Sequence, residues 1–301
     1  MIDMSVEICG VHLKNPIIAA SGTYGFGKEF AKIYPLSEIG GISLKGTTLE
    51  PREGNPAIRI AETPMGMLNC VGLQNPGIQV LKEEYLPWLA NQNTVIIANI
   101  AGNTVKDYCL MAQELAETCV DLLEMNISCP NVKCGGVQFG TNPKTIQEIT
   151  EQVKKHAKQP LIVKLSPNVT SIKDSALAAQ EGGADAISLI NTVTGMAIDV
   201  HTRKPVLSNV IGGLSGPCIK PIAVRMIYEV RSVTKLPIIG MGGVASGADA
   251  AELMLAGANA VMVGTANLSN PMICPQIVRE LNEYACQQGI AKISELTGAL
   301  L

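Results

Sequence analysis

Cys129 sits in the turn Asn126-Ile-Ser-Cys-Pro-Asn131, directly after the apolar run 121–126 and fixed by Pro130. A thiol has an ordinary pKa of ~8.5 and can accept a proton where a neighbour favours the thiolate, so the turn could present a general base. Ser128 and Lys133 are both close enough in sequence to tune it, and the sequence does not choose between them. Cys134 is a competing thiol, but it lies further into a segment punctuated by Gly135, Gly136 and Gly140 that reads as a lid, so Cys129 is the preferred candidate.

Other polar residues stand where apolar strands should end. Lys45 closes Ile42-Ser-Leu-Lys45, and Lys164 closes Leu161-Ile-Val-Lys164. A lysine among Leu and Val is costly to bury unless it meets an anion or a strong acceptor. A flavin gains negative charge on reduction and suits such a cation, and a substrate carboxylate suits it equally; two lysines leave room for both. Asn69, Asn75, Asn99, Asn126, Asn131 and Asn191, with Thr192, fall on comparable strand ends and loops. Each amide offers a donor and an acceptor, which matches the alternating C=O and N–H edges of a pyrimidine or an isoalloxazine. Late in the chain, Gly242-Gly243 and Gly264-Thr265 each follow an apolar run. Backbone N–H groups in turns of this kind can approach a phosphate, which points to a phosphorylated ligand without separating FMN from a sugar phosphate.

These residues need a scaffold that brings strand ends to one place. Near-continuous apolar runs occur at 16–20, 41–46, 94–99, 121–126, 160–165, 185–190, 236–241 and 259–264, the pattern of parallel strands buried on both faces. Helical stretches are expected at 76–90, 104–119, 143–157, 170–182, 217–234, 246–256 and 271–288, several opened by Pro or Ser at the first turn. Eight strands alternating with helices predict a (β/α)8 TIM barrel. Residues 5–13, two short runs around Gly10, predict an N-terminal β-hairpin that plugs the barrel bottom. The segments 47–75 and 192–216, rich in Gly, Pro and Asn, read as long loops over the rim that carries the chemistry. No composition break divides the chain, so residues 1–301 are expected to form a single domain.

Composition narrows the partners. Of the 301 residues 47% are apolar, enough for one sizeable core. The net charge of −3 and 3% aromatic content argue against nucleic acid or an anionic membrane. No run approaches the ~18 apolar residues of a membrane span, and Met1-Ile2-Asp3-Met4 lacks the basic start of a signal peptide, so a cytoplasmic location is expected. Nine irregularly spaced cysteines read as free thiols, and three unpaired histidines make a metal site unexpected.

Taken together, Asn126-Ile-Ser-Cys-Pro-Asn131, Asn69-x-x-Gly72-Leu73-x-Asn75, Lys45, Lys164 and the two late glycine turns resemble the dihydroorotate dehydrogenase family over essentially the whole chain. The Cys-Pro-Asn turn is fairly specific, since members with a serine base carry Ser at that position. The following Val-Lys-Cys-Gly-Gly-Val-Gln-Phe-Gly resembles the NAD-linked class 1B catalytic subunit. That resemblance implies oxidation of (S)-dihydroorotate to orotate in pyrimidine (UMP) biosynthesis, with Cys129 removing a proton from C5 while FMN takes hydride from C6. It implies substrate contacts at Lys45, Asn69, Cys70, Val71, Gly72, Leu73, Asn126, Asn131, Asn191 and Thr192. It implies FMN contacts at Ser21, Lys45, Gly46, Asn99, Asn126, Lys164, Ile190, Gly216, Gly242, Gly243, Gly264 and Thr265. It further implies a homodimer core within a heterotetramer, and a partner subunit whose FAD and [2Fe–2S] cluster pass electrons to NAD. The lack of a nicotinamide-binding fold or clustered cysteines here agrees with that division. Alternatives are a fumarate-reducing class 1A enzyme, a dihydropyrimidine dehydrogenase domain (which has His where Asn131 stands), a flavin-free aldolase-type barrel using Lys164 as a Schiff-base amine, and a non-catalytic scaffold.

Overall fold

The computed structural model describes residues 2–128 and 139–300. Eight parallel strands close into a barrel: β1 (Ile17–Ala19), β2 (Gly41–Ser43), β3 (Val95–Ile100), β4 (Leu122–Asn126), β5 (Leu161–Lys164), β6 (Ala186–Leu189), β7 (Ile238–Met241) and β8 (Ala260–Val263). Each lies inside its expected run or within one residue of it. The continuous apolar pattern arises because both faces are covered, by side chains filling the barrel inside and by helices outside. Those helices are α1 (Val105–Leu115), α2 (Pro143–Lys154), α3 (Ile172–Glu181), α4 (Lys220–Arg231), α5 (Gly247–Leu255) and α6 (Ile273–Gln287), and a helical stretch over 78–89 with a π-turn at Leu81–Tyr85. Side-chain caps set several starts: Thr104 and Asp107 form a capping box on α1, Asn142 caps α2 ahead of Pro143, and Ser246 caps α5.

The hairpin is present as Val6–Ile8 paired antiparallel with Val11–Leu13. Its two-residue turn puts Cys9 and Gly10 at φ 54° and 82°, the left-handed pair that a tight hairpin turn requires. Ile8 and Leu13 are fully buried, Cys9 Sγ reaches Asp185 O, and Lys14 Nζ reaches Asn93 O. Asp185 and Asn93 precede barrel strands, so the hairpin lies at the strands' N-terminal end.

At that same end a repeated clamp ties neighbouring strands. Asp121, just before β4, accepts from Ile96 N of β3; Asp185, before β6, accepts from Leu161 N of β5; Asn259, before β8, accepts from Ile238 N of β7. Each satisfies a strand-start N–H that the parallel ladder leaves over. Burial pushes the Asp121 carboxyl above its ordinary range, and the Ile96 N–H works against that rise.

One expectation changes. The segments 47–75 and 192–216 are not merely loops, because together they build a four-stranded antiparallel sheet, in the order Val193–Gly195, Gly212–Ser215, Gly66–Asn69, Ile60–Thr63. Leu68, Cys70 and Leu207 give it a small core of its own, apart from the large cluster that runs through barrel and helices. Among the described residues no helix is long and apolar enough to cross a membrane.

The clamp sets a stability expectation. Asn259→Ala leaves Ile238 N without its acceptor and removes one of the four acceptors that hold the Arg231 guanidinium. Urea unfolding should show a loss of about 1–3 kcal/mol; an unchanged midpoint would mean that the clamp contributes nothing.

Candidate active site

The C-terminal ends of the barrel strands and the antiparallel sheet line a cavity of about 570 Å³. That is the size of a small-molecule or cofactor site. The barrel supplies Ser21 after β1, Lys45 and Gly46 after β2, Asn126 and Ser128 from β4, Lys164 from β5, Ile190 to Thr192 after β6, Gly242 and Gly243 after β7, and Gly264 and Thr265 after β8. The sheet adds Met67, Asn69, Gly213 and Ser215, and the connecting chain adds Arg52 to Asn55 and Val71 to Leu73.

The floor is polar and held in place. Lys164 is only 5% exposed, and its Nζ lies 3.8 Å from Oε2 of a fully buried Glu124. Asn126 Oδ1 accepts from Asn191 Nδ2 at 3.3 Å and from Ser128 N at 3.2 Å, while the Asn126 carbonyl accepts from Tyr108 Oη at 2.7 Å. Asn191 Oδ1 accepts from Thr192 N at 2.8 Å. Asn99 stands just behind Gly46 rather than in the wall: a Cβ on Gly46 would lie 2.9 Å from Asn99 Oδ1. That oxygen is buried and has no hydrogen-bond partner among the described residues. A buried acceptor left open beside a cavity is a place for a ligand N–H.

The late-strand turns are shaped by backbone. Gly243 has φ 78°, and a Cβ there would meet Lys220 N at 2.8 Å, so the turn between β7 and α5 tolerates only glycine without shifting. Gly264 differs in that a Cβ would meet nothing closer than Ala20 Cβ at 3.8 Å, which leaves its backbone open to the cavity. Thr265 Oγ1 donates to Ser215 Oγ at 2.8 Å, linking this end to the sheet above. Lys220 does not serve the cavity. Its ammonium is paired with Asp249 at 2.7 Å and Glu252 at 2.6 Å, and these contacts raise its pKa. Asp249 in turn accepts from Ala245 N and Ser246 Oγ, so the turn and the start of α5 are tied to α4.

All but four of the residues singled out from sequence as substrate, cofactor or base contacts line this one cavity. Asn99 lies behind the wall. Cys70 packs away from it, its thiol among Ile58 O and Ser208 Oγ, with only its neighbours Asn69 and Val71 to Leu73 on the cavity. Cys129 and Asn131 lie outside the described residues, as do Lys133, Cys134 and the expected lid through Gln138. Several polar residues escaped the sequence reading, Thr23, Arg52, Glu53, Asn55 and Ser215 in the wall and Glu124 beneath it. Arg52 lines the cavity mouth with its guanidinium on Asn103 Oδ1 at 2.7 Å. Glu124 lies beneath the floor, and a charged residue inside the apolar run 121–126 was a signal of the same kind as Lys45 and Lys164.

Comparison with known proteins bears on what the cavity is for. The dihydroorotate dehydrogenase family model matches residues 3–284. "Dihydroorotate dehydrogenase B (NAD(+)), catalytic subunit" of Alkaliphilus oremlandii is 54% identical over 298 residues, covering 99% of each chain. The proteins of the same name from Petrotoga mobilis and Geobacillus sp. strain WCH70 are 50% and 54% identical. The first alignment covers all of both chains, and the second covers 98% of this chain and 95% of its relative.

The Lys220–Asp249 tie gives a pH-dependent expectation. Burial disfavours the Asp249 carboxylate, but Lys220, Ala245 N and Ser246 outweigh it and hold the carboxyl below its ordinary range. The ionised form therefore stabilises the fold above about pH 4, and this contribution disappears as pH falls through the depressed value. Asp249→Asn should lower the urea midpoint at pH 7, with the gap to the parent chain narrowing near pH 3. A gap of equal size at both pH values would show that the charge plays no part.

Proposed function

Because the chain belongs to the dihydroorotate dehydrogenase family, we propose that it oxidises (S)-dihydroorotate to orotate in pyrimidine biosynthesis, with FMN bound in the cavity described above. The observation that carries this reading is the convergence of Lys45, Lys164, Asn69, Asn126 and Asn191 with the Gly242-Gly243 and Gly264-Thr265 turns on one cavity. The residues present suit FMN. The open acceptor of Asn99 can take a ring N–H, Lys164 offers a cation to a ring that gains negative charge, and the bare backbone at Gly264 suits a phosphate. Residues 1–301 are read as one FMN-binding domain.

Bound FMN supplies the acceptor for the hydride that leaves C6 of the substrate. The chain's own part is to hold the substrate ring and move a proton. Asn69, Val71 to Leu73, Asn126, Asn131, Asn191 and Thr192 hold the planar ring by its alternating edges, and Lys45 meets its anionic groups. Cys129, as thiolate, takes the C5 proton, so that the C5=C6 bond forms as hydride departs. Ser21, Gly46, Ile190, Gly216, Gly242, Gly243 and Thr265 complete the cofactor contacts.

The relatives' name, a catalytic subunit of an NAD(+) enzyme, supports a second subunit here. In this reading the second subunit carries FAD and a [2Fe–2S] cluster and passes electrons to NAD, around a homodimer of the present chain in the cytoplasm. Exposed apolar side chains at Met65, Met196, Ile198 and Val200 support protein contacts on the roof side of the molecule.

Cys129→Ser should retain FMN and orotate but slow flavin reduction by dihydroorotate at least ~100-fold in stopped flow at neutral pH, the scale of a lost general base. Unchanged single-turnover reduction would remove Cys129 from that role. The purified chain should reduce NAD poorly until an iron–sulfur flavoprotein subunit is added, and efficient NAD reduction by the chain alone would contradict the division of labour.

A further inference from the structure

Glu124 has no part in the chemistry above, yet the barrel interior is organised around it. Its carboxylate is fully buried in β4. Oε2 accepts from Ser43 Oγ of β2 at 2.9 Å and Asn99 Nδ2 of β3 at 2.5 Å, and Oε1 accepts from Ser188 Oγ of β6 at 2.7 Å. Lys164 Nζ of β5 lies 3.8 Å from Oε2. The group thus joins five consecutive strands of the closed sheet, β2 to β6. Register explains the meeting: Asn99 pairs with Glu124 across β3 and β4, and Lys164 pairs with Asn126 on one side and Ser188 on the other.

Three neighbours donate to the carboxyl, two hydroxyls and an amide N–H, and the Lys164 ammonium stands by as a countercharge at 3.8 Å, so an ionised carboxylate is the form that this set satisfies. A buried anion is expensive, and an apolar side chain of similar volume would fill the same space without that expense. Lys164 in the floor and Asn99 behind it both depend on the anion. It consumes the Asn99 N–H, so the amide is fixed with its oxygen as the open group beside Gly46. It also balances the Lys164 ammonium at the cavity floor.

We propose that Glu124 is a positioning residue that fixes Asn99 and Lys164 and offsets the lysine's charge, so that the reduction potential of the bound flavin depends on a carboxylate beneath the cavity floor. This rests on the reading that the cavity holds FMN. Removing the anion leaves the lysine's positive charge uncompensated, and an uncompensated cation favours the more negative, reduced form of the cofactor.

The experiment is dye-equilibrated potentiometry on the FMN-loaded full chain, in the parent, Glu124→Gln and Glu124→Asp, with thermal melting alongside. Glu124→Gln should shift the reduced-to-oxidised ratio at fixed poise about tenfold toward reduced FMN, equivalent to ~30 mV for two electrons. Glu124→Asp keeps the charge and should stay within about twofold of the parent ratio, even if it melts lower. A purely structural role would lower the melting temperature of both variants and leave both potentials at the parent value, which overturns the proposal. If Glu124→Gln does not retain FMN, Glu124→Asp decides: FMN bound at the parent potential supports the requirement for charge, and failure to bind FMN overturns it. A parent chain that binds no FMN overturns the function reading and this proposal together, an outcome distinct from an FMN-loaded parent whose potential the variants leave unchanged.

Discussion

The carboxylate of Glu124, shut inside the barrel beside Lys164 and fed by donors from three other strands, is the constraint on which the site rests. A barrel of eight short strands is filled by its own side chains, and most of this interior is Ile, Leu, Val and Ala packed without exposure. Polar groups can enter such a core only as a set that satisfies itself. Here the set occupies the layer next to the cavity, and its register places Asn126 and Lys164 side by side at the floor. The amides and the cation that face the ligand are thus held from below by the barrel itself. A site on rigid strand ends needs little reorganisation when charge develops in it.

The two ends of the barrel divide the work. At the N-terminal end, Asp121, Asp185 and Asn259 clamp successive strands, and the hairpin covers the opening. At the C-terminal end, segments far apart in sequence fold over the cavity as an antiparallel sheet, pairing Asn69 with Gly213 and Met67 with Ser215. Stability is concentrated below and ligand contacts above, so the binding surface can vary without unsettling the closure of the barrel.

Much of this was legible in the sequence, for physical reasons. Parallel strands buried on both faces leave continuous apolar runs, and all eight stood out, as did Lys164 and Asn126 as polar residues ending such runs. The hairpin was visible because Gly10 between two short runs leaves little choice of turn. The roof sheet was not visible. Its strands are three or four residues long, one contains a glycine pair and another begins at Gly66, and although the outer pairings join nearby segments, the central one joins Gly66–Asn69 to Gly212–Ser215, more than a hundred residues on, so no local period records the whole sheet. Glu124 was readable in principle, since a carboxylate within Leu122-Leu-Glu124-Met-Asn126 breaks the apolar run just as Lys164 does. What the sequence could not supply was the donor set around it, which exists only once five strands are in register.

The central claim is that this cavity holds FMN and delivers to it the hydride of dihydroorotate. The most direct measurement is an anaerobic titration of the FMN-loaded chain with (S)-dihydroorotate, following the flavin absorbance and the orotate formed. The account predicts bleaching of the flavin band with one orotate produced per FMN reduced. A flavin band that stays oxidised in excess dihydroorotate, with no orotate formed, would contradict it.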